Sequence, residues 1–264
     1  MAKVIVFGNE KGGSGKTTSA MHTAVTLLKM GYNVAALDLD IRQKSLSTYI
    51  ENRATTVKSN NLTLAMPICI KLEISDLTYD EIISGMISIY DTACDFIIID
   101  TPGSDTELSR AAHSYADIIV TPINDSFVDI DLLGRCEPSA LNVVKPGVYS
   151  AMVWEQKIKR AARDKKEVDW VVVRNRISSL DTNNKKNIEV AIGKLSKKFG
   201  FRVVRGFGDR VIFKELFLSG LTLHDIGITD KIKLTHSVIA ARQELREFVA
   251  ALAIENRLLD NATC

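Results

Sequence analysis

Residues 8–18 constrain the fold of this chain more than any other part of its 264-residue sequence. The segment follows a short apolar run at 4–7 and precedes a helical pattern over 17–30. Its end, Gly15-Lys16-Thr17, matches the phosphate-binding loop called Walker A. Glycines let backbone N–H groups converge on phosphate oxygens, and the following helix directs its positive end at the same anion. A strand, this loop and a helix in succession predict a P-loop α/β domain.

Short apolar runs alternate with helical patterns along the rest of the chain. The predicted strands lie at 34–37, 96–99, 118–120, 170–173 and 202–204, and the predicted helices near 76–93, 104–116, 148–164, 183–199 and 236–259. Continuous apolar strands indicate a mostly parallel sheet with helices on both faces and ligands at the carboxyl ends of the strands. Residues 62–74 have no regular pattern. No linker composition is visible, so we expect a single domain over 1–264.

The residue types in the loop predict its contacts with a nucleotide. Lys16 is expected to bind the β- and γ-phosphates, and the Thr17 hydroxyl to bind Mg²⁺. The phosphate-binding residues are expected to be Gly12, Gly13, Ser14, Gly15, Lys16, Thr17 and Thr18.

Carboxylates follow two further predicted strands, at the edge of the sheet where the loop lies. Asp38 and Asp40 end the second strand, and Asp38 is a candidate to bind the nucleotide and its Mg²⁺. Asp40 is expected nearest the γ-phosphate, where it would orient the attacking water. Asp100 ends an Ile97-Ile98-Ile99 run of the Walker B type and is expected to bind Mg²⁺ through water. The Gly103 N–H is expected to approach the γ-phosphate.

The loop departs from the ordinary Walker A pattern at its start, where Glu10 replaces glycine and Lys11 follows. With Asp38-Leu39-Asp40 and Asp100-Thr101-Pro102-Gly103, it resembles the ParA/MinD family of deviant Walker ATPases. The segments 121–129, 169–176 and 200–202 resemble the MipZ group of that family more narrowly. The resemblance does not cover about 55–92 or the last several residues.

The resemblance implies an ATP-dependent switch with slow hydrolysis. It implies that ATP and Mg²⁺ are bound, that Lys11 reaches across an ATP-bound homodimer, and that Lys11, Lys16 and Asp40 are the catalytic residues. Asn175 resembles the asparagine that recognises adenine, and its amide can pair with a base edge. The implied partners are DNA bound without sequence preference, a ParB-like origin-binding protein and FtsZ, whose polymerisation would be inhibited to position division.

Charge is distributed unevenly along the chain. Residues 151–210 contain 16 Lys and Arg against 7 Asp and Glu, whereas the whole chain has a net charge of +2. Such a region suits contacts with phosphates rather than with base edges. The residues expected to contact DNA are Lys185, Lys186, Lys194, Lys197, Lys198 and Arg202.

Three alternatives remain open from the sequence. A ParA-type DNA partition ATPase would use the same features, and a DNA-binding module with an inactive nucleotide site is a second alternative. A metabolic P-loop enzyme such as a dethiobiotin synthetase would leave Lys11 and the basic region unexplained. The sequence has no apolar run of about 18 residues and no signal-peptide pattern, so we expect a cytoplasmic protein. The family resemblance implies association with the nucleoid, and the nearly uncharged residues 258–264 disfavour a membrane partner. The four cysteines are too scattered to predict a metal site.

Overall fold

The computed structural model describes residues 1–73, 76–136, 143–177, 183–228 and 234–252. The described strands are β1 (Lys3–Phe7), β2 (Val34–Asp38), β3 (Ile68–Ile70), β4 (Phe96–Asp100), β5 (Ile118–Asn124), β6 (Gly134–Cys136), β7 (Val143–Pro146), β8 (Asp169–Asn175) and β9 (Arg202–Arg205). The described helices are α1 (Lys16–Lys29), α2 (Ser45–Ser59), α3 (Tyr79–Tyr90), α4 (Glu107–Tyr115), α5 (Phe127–Leu133), α6 (Val148–Asp164), α7 (Asn183–Phe199), α8 (Ile212–Ser219) and α9 (His236–Ala251).

Seven strands form one parallel sheet in the order β3-β2-β4-β1-β5-β8-β9. Strands β6 and β7 form a separate antiparallel ribbon. Consecutive parallel strands need a crossover, and helices supply it for most of the connections in the main sheet. The predicted parallel α/β architecture with helices on both faces is therefore confirmed.

Side chains of each central strand alternate between two hydrophobic clusters, one on each face of the sheet. In β1, Ile5 and Phe7 join the cluster that includes α1, α2, α8 and α9. Val4 and Val6 join the other cluster, which includes α3 to α7. This alternation follows from the two-residue period of a strand. Because both faces are buried, the strands consist of continuous apolar residues, which is the pattern read from the sequence.

Most predicted elements occur within a few residues of their expected bounds, and those for α6 and α7 match them. The last predicted helix begins at His236 and is described to Ala251, and residues 253–259 of that prediction lie outside the described residues. The segment 55–92, which the family resemblance does not cover, contains the end of α2, the short strand β3 and α3.

The sequence did not indicate α2, β3, α5, α8 or the β6–β7 ribbon. Strand β3 has only three residues, of which Ile68 and Cys69 are exposed, so it lacks the buried run that marked the other strands. Helix α2 buries Arg53 and Thr56 among its inward positions, which weakens its apolar periodicity.

The strand register assembles one polar edge. Phe7 of β1 lies opposite Asp100 of β4, and Asp100 lies opposite Asp38 of β2. The strand order reverses at β1, whose neighbours β4 and β5 lead to opposite sides of the sheet. Ligands of open α/β sheets bind at such switch points, outside the carboxyl ends of the strands.

Candidate nucleotide site

The loop between β1 and α1 has the backbone that anion binding requires. Gly15 caps α1 with φ +95° and Gly13 has φ +74°, a region that residues with a Cβ rarely adopt. Asn9 holds the start of the loop because its side-chain amide donates to the Pro122 carbonyl and its Oδ1 accepts the Lys11 N–H. The N-terminus of α1 is thereby aimed at the space that the loop encloses.

Lys16 is buried within this loop. Its Nζ donates to the Lys11 carbonyl oxygen at 2.9 Å. Burial lowers the pKa of Lys16, and the nearby Asp100 carboxylate acts in the opposite direction. A buried ammonium with one carbonyl partner retains two donors for an anion, which fits the phosphate role predicted for Lys16.

Thr17 and Asp100 meet at the head of the loop. The Thr17 hydroxyl donates to Asp100 Oδ2 at 2.6 Å. Asp100 Oδ1 is buried and has no hydrogen-bond partner among the described residues. Burial raises the pKa of Asp100 to about 7, while the Thr17 hydrogen bond opposes that rise. A hydroxyl beside an unpartnered carboxylate oxygen is a donor set that suits Mg²⁺, so these residues fit the predicted metal.

The carboxylates of Asp38 and Asp40 differ in how many of their oxygens accept backbone hydrogen bonds. Both oxygens of Asp38 accept backbone N–H groups, from Asp40 at 3.0 Å and from Ser47 at 2.9 Å. This geometry shows that Asp38 holds the turn before α2, and its predicted contact with Mg²⁺ stays a prediction. Asp40 lines the phosphate cleft. Its Oδ1 accepts the Gln43 N–H at 2.9 Å, so the turn fixes its carboxylate at the mouth of the cleft.

Gly103 lies against the phosphate loop. A Cβ at this position would lie 2.9 Å from the Gly12 nitrogen and 3.1 Å from its Cα, so no larger residue fits without movement. Thr101 anchors the preceding segment because its hydroxyl donates to the Phe7 carbonyl at 3.0 Å. The predicted approach of the Gly103 backbone to the phosphate site is therefore geometrically reasonable.

The side chains of Lys11 and Lys16 have different partners although both residues belong to one loop. Its Nζ forms an ion pair with the buried carboxylate of Asp129 at the start of α5. The same carboxylate accepts the Asn124 N–H and the Ser126 hydroxyl. The Lys11 side chain is still 38% exposed, so it lies at the surface beside the cleft.

Two adjoining cavities surround the loop. A cleft of about 840 Å³ contains the loop glycines, Lys16, Thr17, Asp40, Asp100 and Gly103. A second cavity of about 350 Å³ has Phe207, Phe213 and Phe217 in its wall. The polar cleft suits phosphates and the aromatic cavity suits a base.

Asn175 lies in the wall of the aromatic cavity, at the end of β8. Its Nδ2 donates to the Ser14 carbonyl at 3.0 Å and its Oδ1 accepts the Phe207 N–H at 3.0 Å. The side chain is buried and joins the phosphate loop to the segment after β9. Its predicted pairing with a base stays a prediction, and such pairing would use its remaining hydrogen-bonding capacity or replace one of these bonds.

The residues predicted for DNA binding fall into two groups. Helix α7 buries Ile188, Ala191, Ile192 and Leu195 against the sheet and leaves Lys186, Lys197 and Lys198 exposed and Lys194 half-buried. The Lys185 side chain lies outside the described residues. Arg202 differs from the lysines because its guanidinium donates to both oxygens of Asp169 and to the Ala251 carbonyl. The Arg202 charge is therefore already paired within the protein, and its contact with DNA stays a prediction.

Sequence reasoning missed several residues of the site. Asp129 ends the segment 121–129 that carries the family resemblance, yet no local pattern connects it to Lys11, 118 residues away. The three phenylalanines of the aromatic cavity and Arg176 also carried no separate signal. They become recognisable only after β8 and β9 pair.

Gly8 offers a stability test of how the loop is supported. A Cβ at Gly8 would lie 2.2 Å from His113 Nε2 and 2.6 Å from the Tyr149 hydroxyl, which are buried and bonded to each other at 3.0 Å. We expect Gly8→Ala to lower the unfolding free energy by about 2–3 kcal/mol through overpacking.

Urea unfolding would measure this effect, with Gly85→Ala as the matched control. A Cβ at Gly85 meets no atom within 4 Å, and this glycine lies inside α3. The control should therefore gain roughly 0.5–1 kcal/mol from the helix preference of alanine. Equal effects of the two substitutions would contradict the tight packing under the loop.

Comparison with known proteins identifies the relatives of this fold. MinD, the septum site-determining protein of Helicobacter pylori, is 26% identical over 170 residues, which are 56% of this chain and 63% of that protein. This chain thus matches less than two thirds of the curated relative's length. An ATP complex of McdA from Cyanothece has a TM-score of 0.64 and 16% identity, covering 96% of this chain and 97% of that one.

MinD from Pyrococcus horikoshii, complexed with Mg-ADP, has a TM-score of 0.60 and 16% identity, and the match covers 96% of both chains. At these identities the structural matches establish the fold. The family model described as ATPase MipZ matches residues 3–256, nearly the whole chain. This chain therefore belongs to the MipZ family of ATPases.

Proposed function

We propose that this protein is an ATP-dependent dimerisation switch with slow hydrolysis, whose dimer binds DNA without sequence preference and positions the division site by inhibiting FtsZ assembly. The separate placement of the two loop lysines carries this proposal. Lys16 is buried in its own phosphate site, whereas Lys11 lies at the surface on Asp129. One loop thus places one lysine at the nucleotide site of its own subunit and leaves the other at the surface, where a second subunit could bind.

Lys11 is proposed to leave Asp129 and reach the nucleotide of a second subunit. Asp129 keeps two hydrogen bonds from its own loop when Lys11 departs, so the buried carboxylate is not left without partners. Gaining a phosphate contact would then offset loss of the ion pair, because hydrogen bonds between charged groups are strong. Dimerisation would consequently depend on the phosphates that the partner holds.

Within each subunit, Lys16 and the backbone of the loop are proposed to hold the β- and γ-phosphates. Thr17 and Asp100 would hold Mg²⁺, which neutralises phosphate charge when bound. Asp40 is proposed to orient the attacking water, since it lines the same cleft as Lys16 and Thr17. The Gly103 N–H would contact the γ-phosphate, so the position of the segment that leads into α4 would depend on that phosphate.

The exposed face of α7 is proposed to contact DNA. Lys186 and Lys197 project opposite the buried face of this helix, and Lys198 is also exposed. A row of cations suits the phosphate backbone and provides no rigid pattern for reading bases. A dimer would double the number of phosphate contacts, which links DNA binding to ATP.

Family membership supports FtsZ and a ParB-like protein as partners and a cytoplasmic, nucleoid-associated location. A ParA-type partition role shares the ATP switch and the DNA surface, and inhibition of FtsZ assembly in a purified system would separate the two. The family match favours both over a metabolic enzyme. Among the described residues, no helix is both long and apolar enough to cross a bilayer.

Light scattering on Asp40→Ala protein tests the switch. We expect a molar mass near 29.2 kDa in Mg-ADP and twice that mass in Mg-ATP, because slowed hydrolysis preserves the dimer. The control is Asp40→Ala/Lys11→Ala, which should remain monomeric in ATP. A mass that does not respond to nucleotide would refute the switch.

DNA binding by the trapped dimer tests the α7 surface. In Asp40→Ala protein with ATP, the further change Lys186→Ala/Lys197→Ala should weaken binding to a random duplex. It should also reduce the salt slope of the affinity, because fewer counterions are released when fewer phosphates are contacted. The control Lys58→Ala/Lys71→Ala removes two exposed charges elsewhere. Unchanged affinity and slope in the first variant would show that DNA binds another surface.

A further inference from the structure

Four residues line both cavities of the nucleotide site: Gly15, Thr18, Arg176 and Phe217. A nucleotide with its base in the aromatic cavity and its terminal phosphates on Lys16 must cross this shared boundary. Its ribose and α-phosphate would therefore lie there. Of the four boundary residues, Arg176 is the one with a charged side chain.

The backbone of Arg176 is held from both sides. It follows Asn175, whose side chain joins Ser14 to Phe207. The Arg176 N–H donates to the Phe207 carbonyl at 2.7 Å, and the next residue, Ile177, bridges to Gly208. Arg176 has φ +51°, which is uncommon for a residue with a side chain. Such backbone strain persists where the surroundings enforce it, and it is frequent at ligand sites.

The guanidinium itself is available. The neighbouring arginines differ, since Arg174 pairs with Asp125 and Glu189, and Arg210 pairs with Glu244. Arg176 is exposed, and no described carboxylate lies within ion-pair distance of it. At the rim of an anion site, the fixed backbone thus carries a cationic side chain whose donors have no partner among the described residues.

We propose that Arg176 is a nucleotide-binding residue that contacts the α-phosphate from the side opposite the phosphate loop. This inference rests on the proposed use of the two cavities for one nucleotide. Loop N–H groups of a P-loop surround the α- and β-phosphates, and the lysine reaches the β- and γ-phosphates. Arg176 supplies the charge at the α-phosphate end, which Lys16 does not reach, and its planar fork matches phosphate oxygens.

Calorimetric titration with ADP tests this assignment, because ADP should report on a single subunit. We expect Arg176→Gln to weaken ADP binding about tenfold, equivalent to about 1.4 kcal/mol, and Arg176→Lys to recover part of that loss. Arg205→Gln is the matched control, since Arg205 is exposed on the adjacent strand β9 and lines neither cavity. Adenosine, measured by competition against ADP, should bind Arg176→Gln and native protein equally.

Native ADP affinity in Arg176→Gln would overturn the inference and leave the nucleotide site intact. Equal losses for adenosine and ADP would also overturn it, because the contact would then be to the nucleoside. Failure of the native protein to bind ADP would refute the proposed function together with this inference. Thermal unfolding of the free proteins should be unchanged, because the Arg176 side chain is exposed.

Discussion

Replacing Lys16 by alanine should reduce ATP and ADP affinity on the order of 100-fold, the largest functional effect that we expect from a single change. The Lys16 ammonium is buried and already aimed into the loop, so little of its binding energy is used to order it. Several charge-assisted hydrogen bonds to phosphate would be lost together, each worth about 1.5–3 kcal/mol. Equilibrium titration with a fluorescent ADP analogue would measure the change.

Lys11→Ala is the matched control, because it removes the other lysine of the same loop. The Lys11 side chain pairs with Asp129, and alanine keeps the backbone carbonyl that accepts Lys16 Nζ. This variant should therefore bind ADP with native affinity and fail only to dimerise in ATP. If both variants lose ADP affinity alike, both lysines serve one nucleotide. The division of roles on which the switch depends would then be wrong.

Asp100→Asn should affect stability and binding in opposite directions. Burial raises the pKa of Asp100 to about 7, above its value in an unfolded chain, so the folded protein binds this proton more tightly. The unfolding free energy of the nucleotide-free protein should therefore fall as the pH rises from about 4 to about 7. Asparagine has no such charge, and we expect it to stabilise the protein at pH 8 by about 2 kcal/mol. This is part of the full burial penalty of the charge, which amounts to roughly 1.36 kcal/mol for each unit by which the pKa is raised.

Urea unfolding at pH 5 and pH 8, without Mg²⁺ or nucleotide, would measure the stability effect. The difference between native protein and Asp100→Asn isolates this carboxyl from Glu10 and Asp38, whose pKa values burial also raises. The difference should be larger at pH 8. The same variant should lose the dependence of ADP affinity on Mg²⁺, because Asp100 Oδ1 is the unpartnered oxygen of the site. Destabilisation at pH 8 would show that the carboxylate is not penalised by burial.

The sequence was most informative where function and local structure depend on the same few residues. Residues 8–18 contain the glycines, the lysine and the threonine of the phosphate loop in one continuous segment. Asp100 ends a strand whose apolar run is unmistakable. Such features are local, so their chemistry is readable without knowing which parts of the chain meet. The continuous strands likewise predicted a parallel sheet, since burial on both faces leaves no polar alternation.

The weaker predictions concern side chains whose partners are distant in sequence. Arg202 looked like part of a basic surface, yet pairing of β8 with β9 brings it to Asp169. Asp38 looked like a metal ligand, yet the turn into α2 directs two backbone N–H groups at it. Counting charges cannot distinguish an available cation from a paired one, because pairing depends on tertiary contacts.

By itself the sequence determined the parallel α/β architecture, the phosphate loop and the Asp100 carboxylate at the end of β4, because each arises from local periodicity or from one short motif. Only the tertiary structure decided that Lys11 lies on Asp129, that Asn175 joins the loop to Phe207, and that Arg176 stands between two cavities. These arrangements join residues more than 100 positions apart along the chain. The parallel sheet brings them together by collecting the ends of its central strands at one edge, and no local pattern records that proximity.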